Sequence, residues 1–197
     1  MSNPFDADYQ CRGKRWAGPV DIPALEPSDL VLETGCGNGK TLQPLITKGY
    51  RVVGIDIARE AVGLAGSAQA LVGDIRALPF PDCTFDAVFC RHVLGHLSAP
   101  DRSRAASELL RVVRTGGNLF FSGFSRADFR CGRGTEIEPG SFLKGDGIMT
   151  HYFTEDELHA YFSAGEVAIE ELRWTLRVRG TAYPRSELRA VIRKTEQ

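Results

Sequence analysis

Short apolar runs alternate along this chain with amphipathic or small-residue stretches. Leu30 to Thr34 and Arg51 to Ile55 are followed by the briefer Ala70 to Val72, and then by Phe85 to Cys90 and Asn118 to Ser122. Runs with apolar residues at consecutive positions, bounded by glycine or acids, are what strands covered on both faces require. Between them, Lys40 to Lys48, Ala58 to Gly66 and Asp101 to Arg114 read as helices. The last carries apolar residues at Ala105, Leu109, Val112 and Val113, and Thr115-Gly116-Gly117 is expected to end it. This strand–helix alternation predicts an α/β domain around a parallel sheet.

After Ser122 the pattern changes. Gly123 to Tyr152 is polar, glycine-rich and irregular, with Phe124, Phe129, Phe142, Leu143, Ile148 and Met149 spread through it. Such length without a regular period predicts a cap over a site. Thr154 followed by Glu155-Asp156-Glu157 reads as an N-cap with acids in the first turn, opening a helix to about Ala164. Val167 to Leu176 and Leu188 to Arg193 read as two further strands, joined by Arg177 to Glu187. The expected organisation is one domain, divided into an arm (1–27), a core (28–122), a cap loop (123–153) and a C-terminal helix and hairpin (154–197).

Composition narrows the function classes. The chain has 197 residues and a formal charge of −1, with a pI near 6.4, so no global field argues for nucleic acid or membrane. Residues 1–10 lack the apolar run of a signal peptide, and no run approaches a membrane span. Five dispersed cysteines with no C-x-x-C spacing speak against a disulfide framework or a zinc site, and for a cytoplasmic setting.

The candidate chemistry centres on Glu33-Thr34-Gly35-Cys36-Gly37-Asn38-Gly39, directly behind Leu30-Val31-Leu32. A strand running into alternating glycines lets a ligand approach the main chain where a Cβ would collide. In open parallel sheets ligands lie beyond the carboxyl ends of the strands. Three acids meet that requirement: Glu33 ends the first strand, Asp56 the second, and Asp74 follows the third. Asp56 can accept two vicinal hydroxyls and Asp74 an exocyclic amine, with Ile57 and Ile75 packing on ring faces. His92 and His96 are spaced i, i+4 but lack a third partner at metal-ligand spacing, so no metal site is expected.

The acid before the first glycine and the G-x-G-x-G rhythm resemble motif I of the class I S-adenosylmethionine-dependent methyltransferases. The nicotinamide fingerprint G-x-G-x-x-G fits less well, because the third glycine arrives one residue early. The resemblance covers about residues 28 to 122. Leu78-Pro79-Phe80-Pro81-Asp82, Val93-Leu94-Gly95-His96-Leu97 and Leu110 to Gly117 are similar to the family's segments around its fourth and fifth strands. It implies a Rossmann-like, seven-stranded, mostly parallel sheet with helices on both faces and a C-terminal antiparallel hairpin. It also implies S-adenosylmethionine as cofactor, with S-adenosylhomocysteine as product. Gly35, Cys36 and Gly37 are then expected at the methionine portion, Asp56 and Ile57 at ribose and adenine, and Asp74 and Ile75 at adenine. Glu33, Arg91 and Arg12 complete the expected cofactor set, and Arg91, His96 and Arg185 are the substrate-side candidates.

Tyr9 to Trp16 and His151 to Leu158, taken with the glycine loop, are similar to tRNA wobble-uridine carboxymethyl methyltransferases and their microbial relatives. That narrower resemblance implies a carboxylate acceptor on a modified tRNA base and a small zinc-binding activator protein as partner. From Leu172 to Gln197, seven basic residues stand against Glu187 and Glu196, a rim able to contact phosphates. The same arginines also read as partners of Glu170 and Glu171 on a solvated hairpin. A small-molecule methyltransferase and a non-catalytic S-adenosylmethionine-binding protein are the alternatives.

Overall fold

The computed structural model describes residues 4–13, 20–66, 69–145 and 147–196. A helix, α1 (Pro4–Arg12), precedes β1 (Leu30–Thr34), α2 (Leu42–Thr47), β2 (Arg51–Asp56), α3 (Arg59–Ala65), β3 (Ala70–Val72) and β4 (Phe85–Arg91). A single 3₁₀ turn at Leu94–His96 leads into α4 (Ala99–Val112) and β5 (Val113–Phe124). Then come β6 (Thr135–Glu138), β7 (Ser141–Leu143), β8 (Met149–His151), α5 (Glu155–Tyr161), β9 (Gly165–Val178) and β10 (Thr181–Lys194).

Seven strands form one sheet in the order β3-β2-β1-β4-β5-β10-β9. The first five are parallel, whereas β10 runs antiparallel to both β5 and β9. This is the expected seven-stranded, mostly parallel sheet with a C-terminal antiparallel hairpin. Adjacent residues on β1 explain why both faces are covered. Leu32 packs with Val88, Leu109, Phe121 and Phe162 on the side of α4 and α5. Val31 packs with Leu42, Leu45, Val52 and Phe89 on the side of α2. Burying each such side chain stabilises the fold by about 1.5–3 kcal/mol. The chain reverses order beside β1, with β2 on one side and β4 on the other, and a crevice opens above that point.

Three segments differ from expectation. The helix before β5 stops at Val112, and Thr115-Gly116-Gly117 belongs to the strand itself. There the register against β4 shifts between Phe85 and Ala87. A Cβ on Gly117 would lie 2.7 Å from the Asp86 carbonyl oxygen, so the glycine serves close strand contact rather than helix termination. Gly123 to Tyr152 is not irregular throughout: it holds the small antiparallel sheet β6-β7-β8. Its strands of three or four residues carry too few alternations for a period to show. Finally, the eleven-residue connection expected from Arg177 to Glu187 is mostly strand. The turn is Arg179-Gly180, with φ of +47° and +81°, the left-handed pair that a tight two-residue hairpin requires.

The small sheet is fastened by a buried polar network. Arg102 is 2% exposed and donates from Nη1 to Leu97 O at 2.6 Å and Glu138 Oε1 at 2.7 Å, and from Nε to the Tyr161 hydroxyl at 3.1 Å. Ser141 Oγ lies 2.7 Å from His151 Nδ1, and His151 Nε2 lies 3.1 Å from Glu157 Oε1. Glu157 also completes a capping box with Thr154 at the start of α5. Burial holds the His151 imidazole down to about 4.

Candidate active site

A cleft of about 1330 Å³ lies over the carboxyl ends of the parallel strands and continues beneath the small sheet and the β9–β10 hairpin. Its inner wall is the glycine loop. Gly35, Gly37 and Gly39 all have positive φ, at +64°, +53° and +83°. A Cβ on Gly35 would meet Val93 Cγ2 at 2.2 Å, and one on Gly37 would meet the Tyr9 hydroxyl at 2.6 Å. Only glycine lets the loop turn here while Val93 and Tyr9 close around it. Cys36 between them is buried, its thiol pushed up by burial, and its N–H donates to Ile55 O at 3.1 Å. Its carbonyl accepts from the Gly39 N–H at 2.9 Å, so Cys36 shapes the loop and lines the cleft without a free polar group.

Glu33 is 5% exposed and lines the cleft. Burial pushes its carboxyl up to about 8, opposed by the Thr41 hydroxyl and Arg91 and reinforced by Asp56. Its Oε2 atom has no hydrogen-bond partner. A buried carboxylate oxygen without a donor is a demand for one, and an ammonium group meets it. Asp56 Oδ2 accepts from the Gly37 N–H and Oδ1 from the Ala58 N–H, both at 2.8 Å. The carboxylate thus ties the loop to the end of β2, and each oxygen keeps lone-pair capacity towards the cleft. Burial raises its pKa against these hydrogen bonds.

The next acid has a different setting. Asp74 is held by Arg76, whose Nε donates to both carboxylate oxygens at 3.0 and 2.9 Å and whose N–H donates to Oδ1 at 2.9 Å. These bonds keep the Asp74 pKa low. Arg76 also reaches Asp101 at 2.9 Å and lines the cleft beside Ile57 and Ile75. Sequence reading missed Arg76, although an arginine two residues after the acid was available as a signal. The Arg12 side chain lies outside the described residues, as does the whole segment from Lys14 to Pro19.

The outer wall is built from side chains. His92 follows β4 with φ +57°, a strained conformation for a non-glycine residue. Its ring stacks on Phe124 at 4.4 Å, its Nε2 lies 3.1 Å from Glu187 Oε2, and its Nδ1 is buried without a partner. Arg91 reaches back to Asp21 O at 2.7 Å. His96 donates from Nδ1 to Met149 O at 2.7 Å, tying the 3₁₀ turn to β8. Gly95 beside it permits that approach, since a Cβ there would lie 3.2 Å from His151 O. Arg185 and Arg130 meet over Phe124 at 5.1 and 3.8 Å from its centroid, both bound to Asp128.

The hairpin that carries Arg185 is two-faced. β10 pairs with β5 only from Glu187 to Arg193, so its outer part extends beyond the sheet with β9. Leu172, Trp174, Leu176 and Val178 alternate along one face, each 38–45% exposed, and Leu172 and Trp174 line the cleft. Arg173 and Arg177 occupy alternate positions, and Arg179 follows in the turn. Arg173 pairs with Glu171, as the hairpin reading anticipated, and Arg189 with Glu187. Arg177 and Arg179 have no ion pair among the described residues. Nor do those residues place three or more histidine, cysteine or acidic side chains to hold a metal.

Residues 32–121 match the family model described as a methyltransferase domain. Over 163 residues the chain is 29% identical to the tRNA N(3)-cytidine methyltransferase METTL2 of Danio rerio, covering 73% of this chain and 46% of that protein. The chain thus spans about half the length of the curated relatives it matches. Among solved structures it superposes on a SAM-dependent methyltransferase from Methanosarcina mazei with a TM-score of 0.73 and 28% identity, covering 87% of this chain and 95% of that one. It also shares its fold with the methyltransferase in a complex with the Haloferax volcanii Trm112 activator, at a TM-score of 0.63 and 20% identity, covering 88% of this chain and 85% of that one.

Proposed function

We propose that this chain, with its methyltransferase-domain match over residues 32–121 and its likeness to a SAM-dependent methyltransferase structure, is itself an S-adenosylmethionine-dependent methyltransferase that transfers a methyl group to an acceptor held against the outer wall of the cleft. The observation that carries this reading is Glu33: a buried carboxylate with an unpartnered oxygen, in the same cleft as a main-chain loop that admits no Cβ. Those residues fit the amino-acid end of S-adenosylmethionine. Glu33 would receive the ammonium group and ionise as it does so. The Gly35–Gly37 main chain would lie along the methionine portion, and Asp56 would accept from the ribose hydroxyls. Ile57 and Ile75 would flank the adenine, and Asp74, already held by Arg76, would stand at its edge.

When bound, the cofactor supplies an electrophilic methyl on a sulfonium centre. The chain's own part is alignment and exclusion of water, which is what an in-line displacement needs. Phe124, His92 and Trp174 wall the acceptor side, and the β6-β7-β8 sheet roofs it, anchored through Arg102 and His96.

For the acceptor we favour tRNA. The likeness to a tRNA methyltransferase extends over 163 residues, past the matched domain. Arg177 near the end of β9 and Arg179 in the turn, neither with an ion pair among the described residues, supply cations for phosphates. A small zinc-binding activator is a natural partner to test, given the fold shared with the Haloferax volcanii protein. Five free cysteines suit a reducing, cytoplasmic compartment, and no helix among the described residues is long and apolar enough to cross a membrane.

The test is methyl transfer from isotopically labelled S-adenosylmethionine to bulk tRNA, with and without an added activator, alongside metabolite extracts. Label in tRNA supports the reading. Label in small molecules alone replaces the acceptor, and cofactor binding without transfer to either makes the protein a non-catalytic binder.

A further inference from the structure

Two arginines in the outer cleft share a single carboxylate. The Asp128 side chain is fully buried and accepts from Arg130 Nε at 2.8 Å, Arg185 Nε at 2.7 Å and the Ser186 N–H at 3.3 Å. One carboxylate balances one of two guanidinium groups, and neither arginine has a second acid within ion-pair distance among the described residues. The cluster therefore keeps an excess positive charge, and both arginines line the cleft.

The geometry also leaves donors over. Arg185 is bound to Asp128 through Nε, and no acceptor among the described residues takes its two terminal nitrogens. It is only 13% exposed, so bulk water does not simply replace a ligand there. Its guanidinium sits 5.2 Å from the Trp174 ring and 5.1 Å from the Phe124 ring, while that of Arg130 lies 3.8 Å from Phe124. The Tyr152 hydroxyl, buried and unpartnered, lies within electrostatic reach of Asp128, Arg130 and Arg185. Planar cations fixed between aromatic walls, with free forked donors, suit a flat ligand ending in paired oxygens. A clamp that merely fastened the loop after β5 to β10 would need one arginine and would have no reason to turn free donors into a cleft.

We propose that Arg185 and Arg130 form a subsite for an oxyanion, carboxylate or phosphate, borne by a planar ring in the acceptor, and that Asp128 is the residue positioning both guanidinium groups. This rests on the outer cleft being the acceptor side of the methyltransferase site, and it specifies what the acceptor must carry. Trp174 supplies the stacking wall and Arg185 the bidentate fork. Arg185→Lys would keep the charge but lose the fork.

Calorimetric titration tests this with three probes of similar ring size: benzoate, phenyl phosphate and neutral benzamide, each added to protein saturated with S-adenosylhomocysteine. The expected result is that at least one anion binds about tenfold or more tighter than benzamide. Arg185→Gln should erase that preference without changing the affinity for benzamide or S-adenosylhomocysteine, and Arg185→Lys should retain part of it. Preference for benzoate identifies a carboxylate, and preference for phenyl phosphate a phosphate. If Arg185→Gln fails to fold, Arg130→Gln is read the same way. No anion preference in the wild-type protein, or one that survives in the glutamine variant, overturns the proposal. Failure of S-adenosylhomocysteine to bind would instead overturn the methyltransferase reading, and the anion titrations would then be read without it.

Discussion

The inner wall of the cleft is made from main chain and strand-end acids lying within one stretch, Glu33 to Arg76. The outer wall is made from side chains that meet across the sequence: His92 from the end of β4, Phe124 from β5, Asp128 and Arg130 from the loop after it, Trp174, Arg185 and Glu187 from the hairpin. The inner wall is nearly all backbone geometry, fixed by positive φ and by Asp56 bonding two main-chain N–H groups. The outer wall is ion pairs and ring contacts. The contrast teaches where change is tolerated. A backbone cradle admits few substitutions whatever their polarity, whereas a side-chain wall can alter its chemistry while the sheet beneath stays the same.

The comparison breaks most sharply at Gly35. Gly35→Val should lower stability by about 2–5 kcal/mol, from left-handed strain together with overpacking against Val93, and abolish cofactor binding. Thermal melting and calorimetry on the same preparation check both. If the variant binds normally, the inner wall is not a backbone cradle.

Asp128→Ala is the corresponding break in the outer wall. It strands two partly buried cations, and the expected loss is about 3 kcal/mol, seen as a lower Tm. S-adenosylmethionine affinity in the folded fraction should hold, and a parallel loss would show that the two walls are not independent.

Asp56→Ala should leave the fold standing but weaken S-adenosylmethionine by about 1–3 kcal/mol, the effect of lost hydrogen-bond partners. Unchanged affinity by calorimetry would remove Asp56 from the ribose position.

Two pH dependences sharpen the contrast further. The Glu33 carboxyl sits at about 8 in the folded protein against 4.5 for the free group, so the cofactor-free protein favours its protonated form. Stability from this group is full at low pH and falls as pH rises from about 4.5 through 8. Melting temperature should decline over that window, and Glu33→Gln should flatten the decline. His151 behaves oppositely. Held down to about 4 against 6.5, it stays neutral in the native state, so its contribution is lost as pH falls from 6.5 through 4. Amide protection factors, taken relative to the intrinsic exchange rate at each pH, should fall in β7 and β8 on acidification before those of β1 and β4.

The same contrast governs what could be read from the chain. The inner wall was legible because its elements are local: a strand, alternating glycines and an acid at each strand end, every spacing set by a few bonds. Arg76 escaped because an arginine two residues from Asp74 looks like any solvated loop residue until its fork is seen on the carboxylate. The outer wall was largely illegible, since nothing in the order of residues says that Asp128 meets Arg185, or that His92 lies on Phe124 and reaches Glu187. The hairpin did carry an unused signal. Leu172, Trp174, Leu176 and Val178 alternate strictly up to Arg179-Gly180, a period of two that marks strand rather than connection.

Because β10 runs against β5, the residues it presents over the cleft come from its beginning, next to a turn of two residues that supports nothing else. Extra residues inserted there would lengthen the projecting ribbon without moving the core. Parity decides the result. Two residues added to each strand continue the Trp174 row on one side and the arginine row on the other, whereas a single residue added to one strand has no partner and must be absorbed as a bulge. Tailoring the reach of the cleft's outer wall is therefore a matter of counting in twos at Arg179-Gly180.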